Sequence, residues 1–156
     1  MNTIAILKFA LESRKEASAT ILGDSMMPFI KNSDVVTIVK AEKYNIGDIV
    51  LFEYDGILLS HRVLEIGSDT NGGVFFIKGD NSFRIEKTHS DRIIGKVIRI
   101  NKRAPPEYNS RLIIWSLRVG KCFDELKQID KVKESREYLK YIQIRESAYH
   151  TWEHKQ

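Results

Sequence analysis

The sequence predicts an α+β protein: a mainly antiparallel, curled β-sheet core with one helix ahead of it and helices behind it. Two observations carry this reading. Between positions 34 and 100 the chain runs through five short apolar segments separated by Gly, Asn and Asp, the mark of closely spaced strands. On either side the apolar spacing changes to three and four residues, the mark of amphipathic helices. The chain divides on this basis into an N-terminal helix (1–19), a β core (20–104) and a C-terminal helical extension (105–156).

Taken in order, residues 3–17 read as a helix with Ile4, Leu7 and Leu11 on one face and Asn2 or Thr3 as its cap. The strands are 34–40, 48–54, 57–66, 73–78 and 92–100. Asp55-Gly56 turns the second into the third, and Asn71-Gly72-Gly73 turns the third into the fourth. Five strands so close together suggest a small sheet that curls on itself. Pro105-Pro106 ends this region. Leu112, Trp115, Val119, Cys122, Leu126 and Ile129 then mark one helix interrupted by Gly120, and Tyr138, Tyr141, Ile142 and Tyr149 mark another. These helices read as packing against the sheet or each other, with weak peripheral membrane contact as the lesser alternative.

Composition narrows the function classes. The 156 residues carry a net charge of +4 with both signs spread along the chain, so no basic arm or stripe points to nucleic acid. A lone cysteine, Cys122, excludes an internal disulfide and fits a reducing compartment. No stretch approaches the roughly 20 apolar residues of a membrane span, and Lys8 interrupts the N-terminal apolar run. A cytoplasmic location is the expectation.

The segment "LGDSMMPFI" (22–30) sets Ser25 on a glycine-containing turn just before an apolar run. Read plainly, it is a turn entering a buried segment. Read as chemistry, Ser25 is a nucleophile, which requires a base beside it. Of the four histidines, His150 and His154 lie in a polar tail. His89 sits in "KTHSDR", but adjacent residues of an extended chain point in opposite directions, so His89, Ser90 and Asp91 cannot face one another. His61 stands inside the apolar strand "LLSHRVL", where an imidazole is neutral and basic near pH 7 without special tuning.

The boxes "GDSMMPFI", "YNIGDIVLFEY", "SHRVLEI", "FFIKGDNS" and "IIGKVI" occur in the order found in the signal peptidase and LexA-like serine peptidases. The chain resembles that family over about residues 20–100. The resemblance implies Ser25 as nucleophile and His61 as base, as in the Ser-His branch. It also assigns Asp80 of the "KGDN" box as the carboxylate partner of His61. The spacing also permits Asp80 to be part of an Asp-Asn turn, and Glu86 or Asp91 could supply a further acid. Gly23 stands where many signal peptidases carry a serine that assists the oxyanion, so stabilisation would fall to backbone N–H groups around Gly23 and Asp24. Met26, Met27 and Phe29 suit either a shallow substrate pocket or the core. The membrane anchor of signal peptidases is not seen.

The implied function is a serine endopeptidase that cuts a peptide or protein precursor, such as a leader peptide, with no cofactor and no metal. One alternative is a LexA-like self-cleaving transcriptional regulator, against which the two dozen residues before Ser25 leave little room for a DNA-binding domain. Another is an inactive peptide-binding module.

Overall fold

The computed structural model describes residues 3–155, so Asn2, one of the two expected caps, lies outside the described residues. Helix α1 spans Thr3–Arg14 and buries Leu7 and Leu11. It stops three residues earlier than the spacing predicts. Lys15 turns to φ 66°, and the chain enters strand β1, Glu16–Thr20. The sequence "EASAT" conceals this strand because its inward positions are only Ala17 and Ala19, too small to register as an apolar alternation.

Six more strands follow: β2 (Val35–Val39), β3 (Ile49–Tyr54), β4 (Ile57–Asp69), β5 (Gly72–Lys78), β6 (Glu86–His89) and β7 (Ile93–Ile100). They form one sheet in the order β1-β2-β7-β3-β4-β5-β6, with every neighbouring pair antiparallel. The expected α+β architecture with a curled antiparallel sheet is therefore what the chain adopts. Register shifts at Thr37/Ile38, Leu51/Phe52 and Val63/Glu65 interrupt the ladders, and such bulges bend strands and increase twist.

Strand β3 explains why both faces of the sheet need cover. Ile49 and Leu51 enter a cluster with Leu7, Leu11, Met26 and Ile30. Val50 and Phe52 point the other way, into a cluster with Val63, Phe75 and Ile77. This two-residue period sorts one apolar run into two cores. A third cluster holds the C-terminal helices α2 (Ser110–Leu126), α3 (Ile129–Lys133) and α4 (Arg136–Glu153) around Leu112, Val119, Val132 and Tyr141. Asn109 and Ser135 cap α2 and α4 by accepting from Leu112 N–H and Tyr138 N–H. The helix expected to run to Ile129 ends at Leu126, where Lys127 adopts φ 57°, and Ile129 opens α3 instead. No helix among the described residues is long and apolar enough to cross a membrane.

The close approach of β7 to β2 depends on one missing side chain. A Cβ at Gly95 would lie 2.7 Å from the Val39 carbonyl oxygen and 2.6 Å from Ile38 Cγ2. Backbone cannot yield as a side-chain tip does. Gly95→Ala should therefore destabilise the protein by about 1–3 kcal/mol, read as a lower urea midpoint at unchanged slope.

Candidate active site

Ser25 lies on a tight turn that its own backbone organises: Met27 N–H donates to Asp24 O at 3.1 Å and Ile30 N–H to Met26 O at 3.0 Å. Gly23 enters the turn at φ 93°, a conformation for which glycine is suited, and its N–H donates to Asn32 Oδ1 at 2.8 Å. Ser25 is half-buried, and its Oγ lies 3.1 Å from His61 Nε2. The sequence-predicted pair is brought together across 36 residues of chain.

The carboxylate behind the imidazole is Glu86. Its Oε1 lies 2.7 Å from His61 Nδ1, with both side chains more than nine-tenths buried. The two atoms are close but lack the alignment of a full hydrogen bond, and Glu86 Oε2 has no hydrogen-bond partner among the described residues. A carboxylate on this side favours a tautomer with its proton on Nδ1, which would leave the Nε2 lone pair facing Ser25. The Phe52 ring, 6.0 Å from the imidazole, packs beside it.

Asp80 does not take the place that the resemblance assigned to it. Its carboxylate is held by Arg62, from Nε at 3.0 Å and Nη2 at 2.6 Å, at a point where both side chains are 1% exposed. A buried guanidinium needs a planar acceptor, and Asp80 is that acceptor. Burial alone would weaken the Arg62 proton affinity, but the facing Asp80 outweighs it and raises the pKa. Arg62 also lies 3.8 Å from the centre of the Tyr108 ring and donates to Gly47 O. Of the other acid considered, Asp91 is exposed in a 3-10 turn at Ser90–Arg92, while His89 pairs with Asp69.

The loop after β5 is the floor of the site. Asn81 N–H donates to Ser25 O at 2.8 Å, and Asn81 Nδ2 donates to Asp24 O at 3.1 Å. Asp80 N–H approaches Met26 Sδ at 3.4 Å. A Cβ at Gly79 would lie 2.6 Å from Ser25 O and 3.0 Å from His61 Nε2. Glycine is what lets the Ser25 turn, His61 and the loop meet.

Met26 and Phe29, expected in either pocket or core, are core residues at 1% exposure each. Phe29 is ringed edge-on by Tyr108, Tyr149 and Trp152. Met27 remains at the surface, as does Asp24. The apolar space beside Ser25 is built elsewhere: a cleft of about 460 Å³ lined by Ile21, Leu22, Leu51, Leu58 and Leu59 among others. Strand β4 contributes an open edge there, since residues 57–61 pair with β3 while pairing with β5 begins at Arg62.

Lys78 is fully buried, but turned towards the helices. Its Nζ donates to Gly79 O at 3.2 Å and Ser116 Oγ at 3.0 Å, with the Tyr141 ring 4.9 Å away. Burial lowers its pKa to about 7, helped by Arg145 and opposed by Asp80 and Glu86.

Two outcomes follow from this buried charge. Arg62→Met leaves the Asp80 carboxylate stranded and should cost about 3–5 kcal/mol of stability, measured by urea unfolding. Lys78 binds its proton less tightly folded than unfolded, so between pH 7 and 10.5 the unfolded chain holds more protons and stability rises with pH. Below that window both states are protonated and the penalty is constant. Relative to Lys78→Met, wild type should gain roughly 1–3 kcal/mol between pH 7 and pH 9; an unchanged difference would show that Lys78 stays charged.

No curated protein matches the chain. The Peptidase S24-like family matches residues 3–98, which takes in Ser25, His61, Glu86, the loop at 79–81 and all seven strands except the end of β7. With this match over most of its length, the chain belongs to the Peptidase S24-like family.

Proposed function

We propose that the protein is a serine endopeptidase working through Ser25, His61 and Glu86. The observation that carries this reading is the line of contacts from Ser25 Oγ to His61 Nε2 at 3.1 Å and from His61 Nδ1 to Glu86 at 2.7 Å. Imidazole accepts the Ser25 proton as Oγ attacks the scissile carbonyl, and the buried carboxylate stabilises the imidazolium. His61 then donates that proton to the leaving amine, releasing the first product and leaving an ester on Ser25. A water deprotonated by His61 hydrolyses the ester and restores the free hydroxyl.

The oxyanion needs fixed donors. The Gly23 N–H is taken by Asn32, whereas the Ser25 N–H has no acceptor among the described residues and suits this role. A Cβ at Gly23 would meet nothing within 4 Å, so there is open space beside the turn. The substrate runs extended along the free edge of β4 at 57–61, its backbone paired and alternate side chains in the apolar cleft. Peptide or protein precursors with neutral side chains at the cut, leader peptides included, fit that lining. Met27 and Asp24, both at the surface of the turn, can touch them.

Self-cleavage is the second reading, because Ala19 and Thr20 of the same chain line this cleft. Both are paired with β2, so β1 would have to separate first. An intact chain after prolonged incubation of the purified protein counts against it.

The test is incubation with a proteome-derived peptide library followed by mass spectrometry. Ser25→Ala should abolish every new cut, and cuts at the wild-type rate would sink the proposal. His61→Ala should lose about 10²- to 10⁴-fold, and Glu86→Gln a comparable amount through loss of the tautomer and the counter-charge. Asp80→Asn should lower stability while the correctly folded fraction keeps most of its rate.

A further inference from the structure

We infer that Arg145, on α4, is a positioning residue for the nucleophile, so that the C-terminal helices are part of the working site. The inference rests on the Ser25 reading above. Arg145 lies outside the residues that the family matches (3–98), yet it is a buried residue, 7% exposed, with its guanidinium directed at the floor of the site. Nη1 donates to Asp80 O at 2.8 Å and to Asn81 Oδ1 at 3.1 Å.

Asn81 is the relay. With its Oδ1 fixed by Arg145, its amide is oriented so that Nδ2 donates to Asp24 O, and its backbone N–H donates to Ser25 O. Thus both peptide carbonyls flanking the nucleophile's own backbone are tied to one residue, and that residue is tied to α4. Tyr141, one turn earlier on α4, donates to Asp80 O at 2.7 Å and shares a 2.6 Å contact with Tyr108 Oη. Asp80 O therefore accepts from two α4 side chains. The remaining guanidinium nitrogens meet Glu146 on the same helix, which holds the fork in orientation. None of these groups borders the substrate cleft on the other side of Ser25.

Loss of Arg145 should then misplace Ser25 relative to His61 without altering how substrate is held. Catalytic geometry is more sensitive to such displacement than binding is. The experiment compares Arg145→Met, Arg145→Lys, Asn81→Ala and the Arg145→Met/Asn81→Ala double variant on the peptide that wild type cuts best in the library. Arg145→Met should lower kcat about tenfold or more, the rate equivalent of one hydrogen bond from a charged donor, with KM within about twofold. Arg145→Lys, which keeps a donor but not the fork, should recover part of the loss. The double variant should lose no more than the worse single, because both act through one relay.

A kcat for folded Arg145→Met within about twofold of wild type, or losses that multiply in the double variant, would overturn the inference. If Arg145→Met does not fold, Arg145→Lys and Asn81→Ala decide it by the same kcat-against-KM split. Amide hydrogen exchange at Asn81 provides a reading independent of cleavage. It should accelerate at least about tenfold in Arg145→Met or Arg145→Lys while β3 and β5 stay protected. Should wild type cut nothing, the peptidase reading fails alone: faster exchange at Asn81 still supports the coupling, and unchanged exchange overturns it.

Discussion

The buried pair of Arg62 and Asp80 sets the position of everything around the site. Each is 1% exposed, and two hydrogen bonds fix the angle as well as the distance between the strand and loop that carry them. His61 immediately precedes Arg62, and Gly79 immediately precedes Asp80. Docking the pair therefore brings the imidazole and the glycine side by side, and the missing Cβ at Gly79 admits the Ser25 carbonyl between them. An ion pair this deep gains little net stability, because desolvation of both groups offsets their attraction. Its contribution is geometric: a bidentate fork tolerates one arrangement, and a packed core holds it there.

Charge balance constrains the same region. The buried side chains include three cations, Arg62, Lys78 and Arg145, against two carboxylates, Asp80 and Glu86. Arg145 also has Glu146 beside it on the same helix, so of the three Lys78 is the cation without a carboxylate in contact among the described residues. Lys78 is the group able to give way: Arg62 is locked to Asp80, whereas the Lys78 amine has only neutral acceptors, Gly79 O and Ser116 Oγ. Its lowered pKa follows from that position. With Lys78 neutral, Arg62 is matched by Asp80 and Arg145 by Glu146, which on the proposed mechanism would leave Glu86 as counter-ion for an imidazolium at His61.

Much of this was legible in the chain, and the failures have physical causes. Ser25 and His61 stood out because each breaks an apolar context, one on a glycine turn and one inside a strand. Glu86 did not, since it opens the four-residue strand "EKTH", whose burial alternates but whose letters are polar throughout. Period-two reading needs apolar residues to detect an inward face; here the inward residues are Glu86 and Thr88. The family resemblance, not the residues around it, assigns Asp80 to His61, yet the guanidinium next in sequence to His61 competes for it and binds two oxygens where an imidazole can bind one. "HR" in an apolar strand was the available signal that two acids, not one, had to be found. Met26 and Phe29 show the limit of local pattern in another way: nothing in "SMMPFI" says that an aromatic cluster from residues 108, 149 and 152 will close over Phe29.

The turn carrying Ser25 is consequently held on two sides by parts of the chain remote in sequence. Phe29 anchors its far end among rings from the segment just before α2 and the end of α4, and Asn81 anchors its near end from the loop beneath. Neither anchor reaches the cleft between β1 and β4 where a substrate strand would lie. Support and access are thus assigned to opposite flanks of one short turn. A residue pinned in this way cannot follow the substrate as it binds, so the substrate carbonyl must come to Ser25. On the proposed peptidase reading the free edge of β4 would suit that demand, because backbone pairing along 57–61 would set an incoming strand in register with His61 itself. The sheet would then measure the position of the scissile bond by counting along the peptide backbone, and the apolar cleft would have only to reject side chains that cannot leave water.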